Sequence, residues 1–339
     1  MRVFLKTACF VLVIAGMVTI GSSRAYAQTA ASDSSGLAVL MQKAQSGDAD
    51  AQVELGLDYY LERDYAQAAI WYRKAAEQEN AHAQDSLGEL FFYGKGVPQD
   101  YAQASIWYRR GAEKGIVDAQ YSLGILYNFG KGVPQDYAQA AIWYRKAAER
   151  GDAGAQYSLG KLYSFGDGVP QDYAQAAVWY RKSAEQGLEF AQSDLGILYN
   201  SGNGVPQDYA QAAIWFRKAA EQGNADAQYD LGLLHYSGEG VPQDYAQAAI
   251  WYHKAAEQGN AGAQNNLSIL YALGMGVPED IAEAYFWYDI FLARNSEDKE
   301  KREKDIKMRD ILISHLTPAK LQEIQSRATK WFAEHPSNR

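Results

Sequence analysis

Cysteine is nearly absent from this chain of 339 residues; Cys9 is the only one. It lies in an N-terminal segment that reads as a signal for export. The exported chain would then carry neither disulfide nor thiol, and packing alone would hold it together. The five histidines, His82, His235, His253, His315 and His335, form no H-E-x-x-H pair. Without cysteine, the common zinc ligand sets are missing as well. Basic clusters are also lacking. Lys and Arg number 32 against 41 Asp and Glu, a net charge of −9. Such an acidic chain is a poor binder of nucleic acid or of anionic membranes. Disorder is argued against by an aromatic content of 13%.

Residues 1–27 stand apart. Arg2 and Lys6 give a positive start, Thr7 to Ile20 is an apolar run too short for a comfortable membrane span, and Ala25-Tyr26-Ala27 is a small-x-small site. We read this as a secretory signal peptide cut after Ala27, with no transmembrane span left behind. Its removal takes Arg2, Lys6 and Arg24 and no acid, leaving 29 basic against 41 acidic residues, or −12. Residues 28–36 are small and polar and read as a flexible leader.

The dominant feature is repetition. GVPQDYAQA begins at Gly96, Gly132, Gly168, Gly204 and Gly240, and an altered copy, GVPEDIAEA, at Gly276. An Ala-Gln pair marks each unit, at Ala51, Ala83, Ala119, Ala155, Ala191, Ala227 and Ala263; the first step is 32 residues and the others are 36. This sets seven units over 48–295, the first lacking the GKGVPQ-type insert. In residues 118–151, Ala119, Leu123, Leu126 and Tyr127 share a helical face. Gly130 and Gly132 stop that helix, and Pro134 stiffens the turn. Asp136 caps the next helix, with Gln139 placed as in a capping box. In the second helix, Tyr137, Ala141, Tyr144 and Ala148 form one stripe and Ala140, Trp143 and Ala147 another, while Arg145 is placed to pair with Glu149. Two apolar stripes on one helix need two neighbours, so the units must stack.

The string AQYSLGILYNFGKGVPQDYAQAAIWYRKAAERG, Ala119 to Gly151, and its six relatives resemble the Sel-1-like repeat family, relatives of the tetratricopeptide repeats. The resemblance implies an all-α fold, an α-solenoid of antiparallel helix pairs stacked into a right-handed superhelix. It also implies a non-catalytic scaffold for protein interactions, often in bacterial envelopes. With the signal, the periplasm is the expected location and secretion the second choice. Leu37 to Gly47 reads as an N-terminal capping half-repeat and 296–339 as C-terminal capping helices, with Thr317 and Pro318 starting the last. Three departures are visible: the short first unit, Ser268 where the other units have Gly, and His235 where they have Tyr or Phe.

The second helices are near copies, whereas the first helices differ along the stripe formed in the type unit by residues 118, 121, 125 and 128. In the family this stripe lines the concave groove. We therefore expect a groove for a protein or peptide partner lined by Asp85, Glu89, Phe92, Tyr121, Ile125, Asn128, Tyr157, Lys161, Ser193, Ile197, Asn200, Tyr229, Leu233 and Tyr236. Tyr121, Tyr157 and Tyr229 are expected to be rigid anchors. Asp85 and Glu89, one turn apart, could meet a cation or a basic peptide, or form a solvated pair.

The periodic tryptophans, 71 to 287, fall within the repeated apolar helix and read as core rather than as a sugar platform. Ser158 to Lys161 matches S-x-x-K, which would suggest a β-lactam-binding or cell-wall hydrolase, but the companion S-D-N and K-T-G sequences are missing. No enzyme activity, metal or cofactor is expected. A hydrolase and a glycan-binding module remain as alternatives.

Overall fold

A computed structural model describes residues 34–295 and 299–335. The expected signal peptide and nearly all of the leader lie outside the described residues. Seventeen α-helices and no strand occur among these residues. They are α1 Ser34–Gln45, α2 Ala49–Leu61, α3 Tyr65–Glu77, α4 Ala81–Tyr93, α5 Tyr101–Glu113, α6 Val117–Phe129, α7 Tyr137–Glu149, α8 Ala153–Phe165 and α9 Tyr173–Glu185. The order continues with α10 Glu189–Ser201, α11 Tyr209–Glu221, α12 Ala225–Ser237, α13 Tyr245–Glu257, α14 Ala261–Leu273, α15 Ile281–Asn295, α16 Lys299–Ser314 and α17 Pro318–Glu334. Two compact units result; Trp179 ends the first and Tyr180 opens the second. Through the repeats of each unit, a helix packs on the helix before it and the helix after it, which is the stacking of an α-solenoid; at the C-terminal end α16 and α17 both pack on α15.

The repeated nonapeptide does several jobs. Asp136 Oδ1 accepts from the Gln139 N–H at 3.0 Å, which caps α7. The return bond of a capping box is not used, because the Asp136 N–H donates to the Tyr127 carbonyl instead. Gln135 Nε2 donates to the Asn128 carbonyl at 2.8 Å, so the loop is fastened to the end of the helix that precedes it.

The Ala-Gln signature has an equally local cause. Gln120 is buried, and its amide donates to the Ala112 carbonyl at 3.0 Å. Gln84, Gln156, Gln228 and Gln264 do the same to Ala76, Ala148, Ala220 and Ala256. Each of these carbonyls already accepts a backbone N–H from the turn that follows, as Ala112 does from Gly115, and the glutamine adds a second bond that ties its own helix to the helix before it. Gln52 makes the same bond to Ala44 of α1.

Packing also fixes the glycine four residues after each glutamine. A Cβ on Gly124 would sit 2.5 Å from Cδ1 of Tyr144, so the helix backbone lies directly on that ring. Where Ser268 breaks the column, its hydroxyl donates to the Ala284 carbonyl at 2.8 Å. The solvent-side ion pair expected between Arg145 and Glu149 is replaced by a bond across repeats: Arg145 Nη2 donates to the Tyr163 hydroxyl at 2.6 Å. Arg109 does the same to Tyr127, and Arg181 to Tyr199. His235 occupies this tyrosine column and is buried; burial and then Arg217 hold its pKa below the ordinary value.

Candidate functional site

The first helices carry the expected stripe, and the structure divides it in two. Tyr121, Ile125 and Tyr157 are 6%, 2% and 7% exposed, and Phe92 and Ser193 are buried too. Their assignment as groove contacts is corrected: they are packing residues. Tyr121 lies over Gly154 of the next first helix, where a Cβ would come within 2.9 Å of its ring. Tyr229 is half-buried over Gly262 in the same way. In these two pairs a glycine stands 33 residues after the tyrosine, whereas Tyr157 is followed at that distance by Phe190. Part of the variation along the stripe is pairing between neighbours rather than a record of ligand contacts.

In the first unit, Glu89 of the stripe already has partners. Glu89 accepts from the Tyr60 hydroxyl at 2.7 Å, and Lys95 Nζ lies 3.3 Å from Glu89 and 2.6 Å from the Tyr60 hydroxyl. The same ammonium faces the rings of Tyr60, Tyr65 and Tyr93 at 4.9, 5.6 and 5.1 Å. Asp85 is half-buried, and its carboxyl is pushed well above the usual carboxylate range by burial first, then by Asp118 and Glu89. Asn128 is half-buried, and Lys161 lies over the Tyr157 ring at 5.7 Å. No cluster of metal-ligating residues occurs among the described residues.

In the second unit the stripe opens. Ile197 is 44% and Tyr236 37% exposed. Asn200, Leu233 and Tyr236, all expected, line one cleft of about 220 Å³. The sequence reading missed its five other walls: Phe216, Asp230, Leu234, Ser237 and Glu239. Burial, and then Asp226, push the Asp230 carboxyl up to about 7. It makes no hydrogen bond or ion pair among the described residues. A signal for Asp230 exists in the sequence. In repeats 2, 3 and 4 its position holds Ser86, Ser122 and Ser158, opposite Tyr72, Tyr108 and Tyr144 of the preceding second helix. Repeat 5 has Asp194 there, fourteen residues after Tyr180; in repeat 6 Asp230 follows Phe216 instead, which has no hydroxyl to offer.

A raised carboxyl destabilises the fold where it must ionise. The folded value of about 7 lies above the unfolded value near 3.9, so its cost is nil below pH 4 and complete above pH 7. Asp230→Asn should therefore raise stability at pH 8 by about 1–2 kcal/mol, after discounting for partial exposure, and leave it unchanged at pH 4. Thermal unfolding at the two pH values checks this; an equal change at both would refute it.

The serine of the S-x-x-K match and the periodic tryptophans lie within the packing. Ser158 is buried against Tyr144 and Tyr121. Trp71, Trp143, Trp179, Trp215, Trp251 and Trp287 are buried, and Trp107 is half-buried. Lys74, Lys146, Lys218 and Lys254 lie over four of these rings at 3.8–4.2 Å.

The pattern of the Sel1 repeat matches residues 49–80, 81–116, 117–152, 153–188, 190–224, 225–260 and 261–292. The chain belongs to the Sel1 repeat family. Proteins of this family generally act as scaffolds for protein interactions and are typically non-catalytic. The chain is similar to a Sel1 repeat protein from Oxalobacter formigenes, with 33% identity and a TM-score of 0.63 over 73% of this chain and 98% of the other. It is also similar to a protective antigen of uropathogenic Escherichia coli with the same repeat, with 30% identity over 88% of this chain and 95% of that one and a TM-score of 0.44. Among curated proteins, the ERAD-associated E3 ubiquitin-protein ligase component HRD3A of Arabidopsis thaliana is 35% identical over 63 residues, 17% of this chain. That match spans only 9% of the plant protein's own length. The Sel1 repeats thus account for the repeated array, and no helix among the described residues is long and apolar enough to cross a membrane.

Proposed function

We propose that this Sel1 repeat protein is an exported, non-catalytic scaffold of the cell envelope, located in the periplasm, that holds a segment of another protein along the first helices of its repeats. The observation that carries the reading is the cleft between α10 and α12, where Asn200, Leu233 and Tyr236 converge around open space. Concave sites with apolar walls and a few polar groups are what extended segments occupy. The segment Arg2 to Ala27 supports export.

The contact set is narrower than the full stripe. Ile197, Asn200, Leu233 and Tyr236 face outward, while the buried tyrosines hold neighbouring helices together. The test is cross-linking in the native envelope followed by mass spectrometry. The triple variant Ile197→Ser, Leu233→Ser, Tyr236→Ala should lose the cross-linked partner by about tenfold or more with an unchanged melting temperature. Tyr121→Ala should instead lower the melting temperature, because it empties a packed site. Undiminished cross-linking of the triple variant would end the reading.

A further inference from the structure

The first unit contains an internal guide to what the cleft in the second unit accepts. Counting from each Ala-Gln pair, Lys95 of repeat 2 and Glu239 of repeat 6 hold the same position, as do Tyr60 and Asn200, Glu89 and Leu233, and Tyr93 and Ser237. In repeat 2 the chain fills this crevice itself. The Lys95 ammonium sits between the Tyr60 hydroxyl, Glu89 and three aromatic rings. In repeat 6 a carboxylate stands at the position of the plugging lysine, and a cleft stands open, lined by Glu239, Asp230, Phe216, Leu233 and Tyr236.

Three observations give the opening a charge preference. Asp230 has no partner among the described residues. Its position otherwise faces a tyrosine hydroxyl, as Ser122 faces Tyr108, and here it faces the bare ring of Phe216. Glu239 accepts only from the adjacent Ser237, at 3.2 Å. Two acids without a cation, beside a half-exposed tyrosine ring and an apolar wall, complement an ammonium or guanidinium group on an aliphatic stem.

We propose that this cleft is a subsite for one cationic side chain, lysine or arginine, of the protein segment that the groove holds. The inference rests on the groove reading above and goes further by assigning the chemistry of its occupant. The stem packs on Leu233 and Phe216, the charge meets Asp230 and Glu239, and the Tyr236 ring borders the site.

The test uses the purified chain and short fluorescein-labelled peptides of Ser and Leu with one central residue, Lys, Arg, Gln, norleucine or Glu, read by anisotropy. The Lys and Arg peptides should bind at least about tenfold tighter than the Gln and norleucine peptides, and the Glu peptide weakest. The double variant Asp230→Asn, Glu239→Gln should lose that preference while still binding norleucine as before. Two further variants guard against a folding artefact. Phe216→Tyr restores the residue that other repeats carry and should weaken the Lys preference by giving Asp230 an internal donor. Glu239→Lys should restore the plug and abolish Lys binding. Equal binding of Lys and norleucine to the unaltered chain, or a preference that survives the double variant, overturns the cationic subsite and leaves the groove standing. Binding of none of the peptides overturns both.

Discussion

Gly132→Ala should destabilise the chain by roughly 2–5 kcal/mol, the sum of a left-handed backbone cost and a packing clash. Gly132 has φ +69°, and a Cβ there would lie 2.2 Å from the carbonyl carbon and oxygen of Tyr101. Those are backbone atoms at the start of α5, so no side chain can swing aside. The loop of one repeat rests on the opening turn of the second helix of the repeat before it. Gly96 meets Tyr65, Gly168 meets Tyr137 and Gly240 meets Tyr209 in the same way. Gly151 supplies the control. Its φ is +98° but nothing lies within 4 Å of its would-be Cβ, so Gly151→Ala should cost only the backbone share, about 1–2 kcal/mol. Urea denaturation of the two variants separates the effects. Equal losses would mean that the close approach to Tyr101 contributes nothing.

Trp287→Ala should cost about 3–5 kcal/mol and unravel the C-terminal end first. Trp287 is fully buried, with Phe286 at 5.0 Å, His253 at 5.5 Å and Trp331 of α17 at 6.5 Å between ring centroids. Helix α17 lies against α15 and tethers its own Trp331 by a bond from Nε1 to Glu257 at 3.3 Å. Repeat arrays are held mainly by contacts between neighbours, so a void at one end need not melt the other. Hydrogen exchange should show protection lost in α14 to α17 while α4 to α7 keep theirs. Uniform loss along the chain would show that the array unfolds as one block.

Much of this molecule was legible before any coordinates. The period placed the helices, since a glycine stop, a stiff proline turn and an aspartate cap recur in each full copy. The two apolar stripes on each second helix required stacking. Asp136 caps as expected, and the tryptophans are core. The site was legible only in part. Asn200, Leu233 and Tyr236 were chosen because their columns vary, and they do meet in one cleft. Tyr121 and Tyr157 were chosen by the same rule and are buried. A helical wheel places a residue on a side of its own helix, but it does not show how close the next helix comes. Asp230 was missed because its column, which runs Ser86, Ser122, Ser158, Asp194, Asp230 and Asn266 in repeats 2 to 7, lies beside the stripe of 118, 121, 125 and 128 and not on it. Its meaning depends on Phe216, fourteen residues earlier on another helix.

The sequence alone determined the repeat, the helix boundaries, the caps and the need for each pair to have a neighbour, because these follow from local backbone preference and from periodicity along one helix. Tertiary structure decided which outward-facing residues stay outward. The separation between adjacent first helices is set by side chains from both, so Gly154 lets Tyr121 lie flat and buried, while Glu239, where repeat 2 has Lys95, leaves a crevice unfilled. Solvent access at these positions depends on pairs of residues in different repeats.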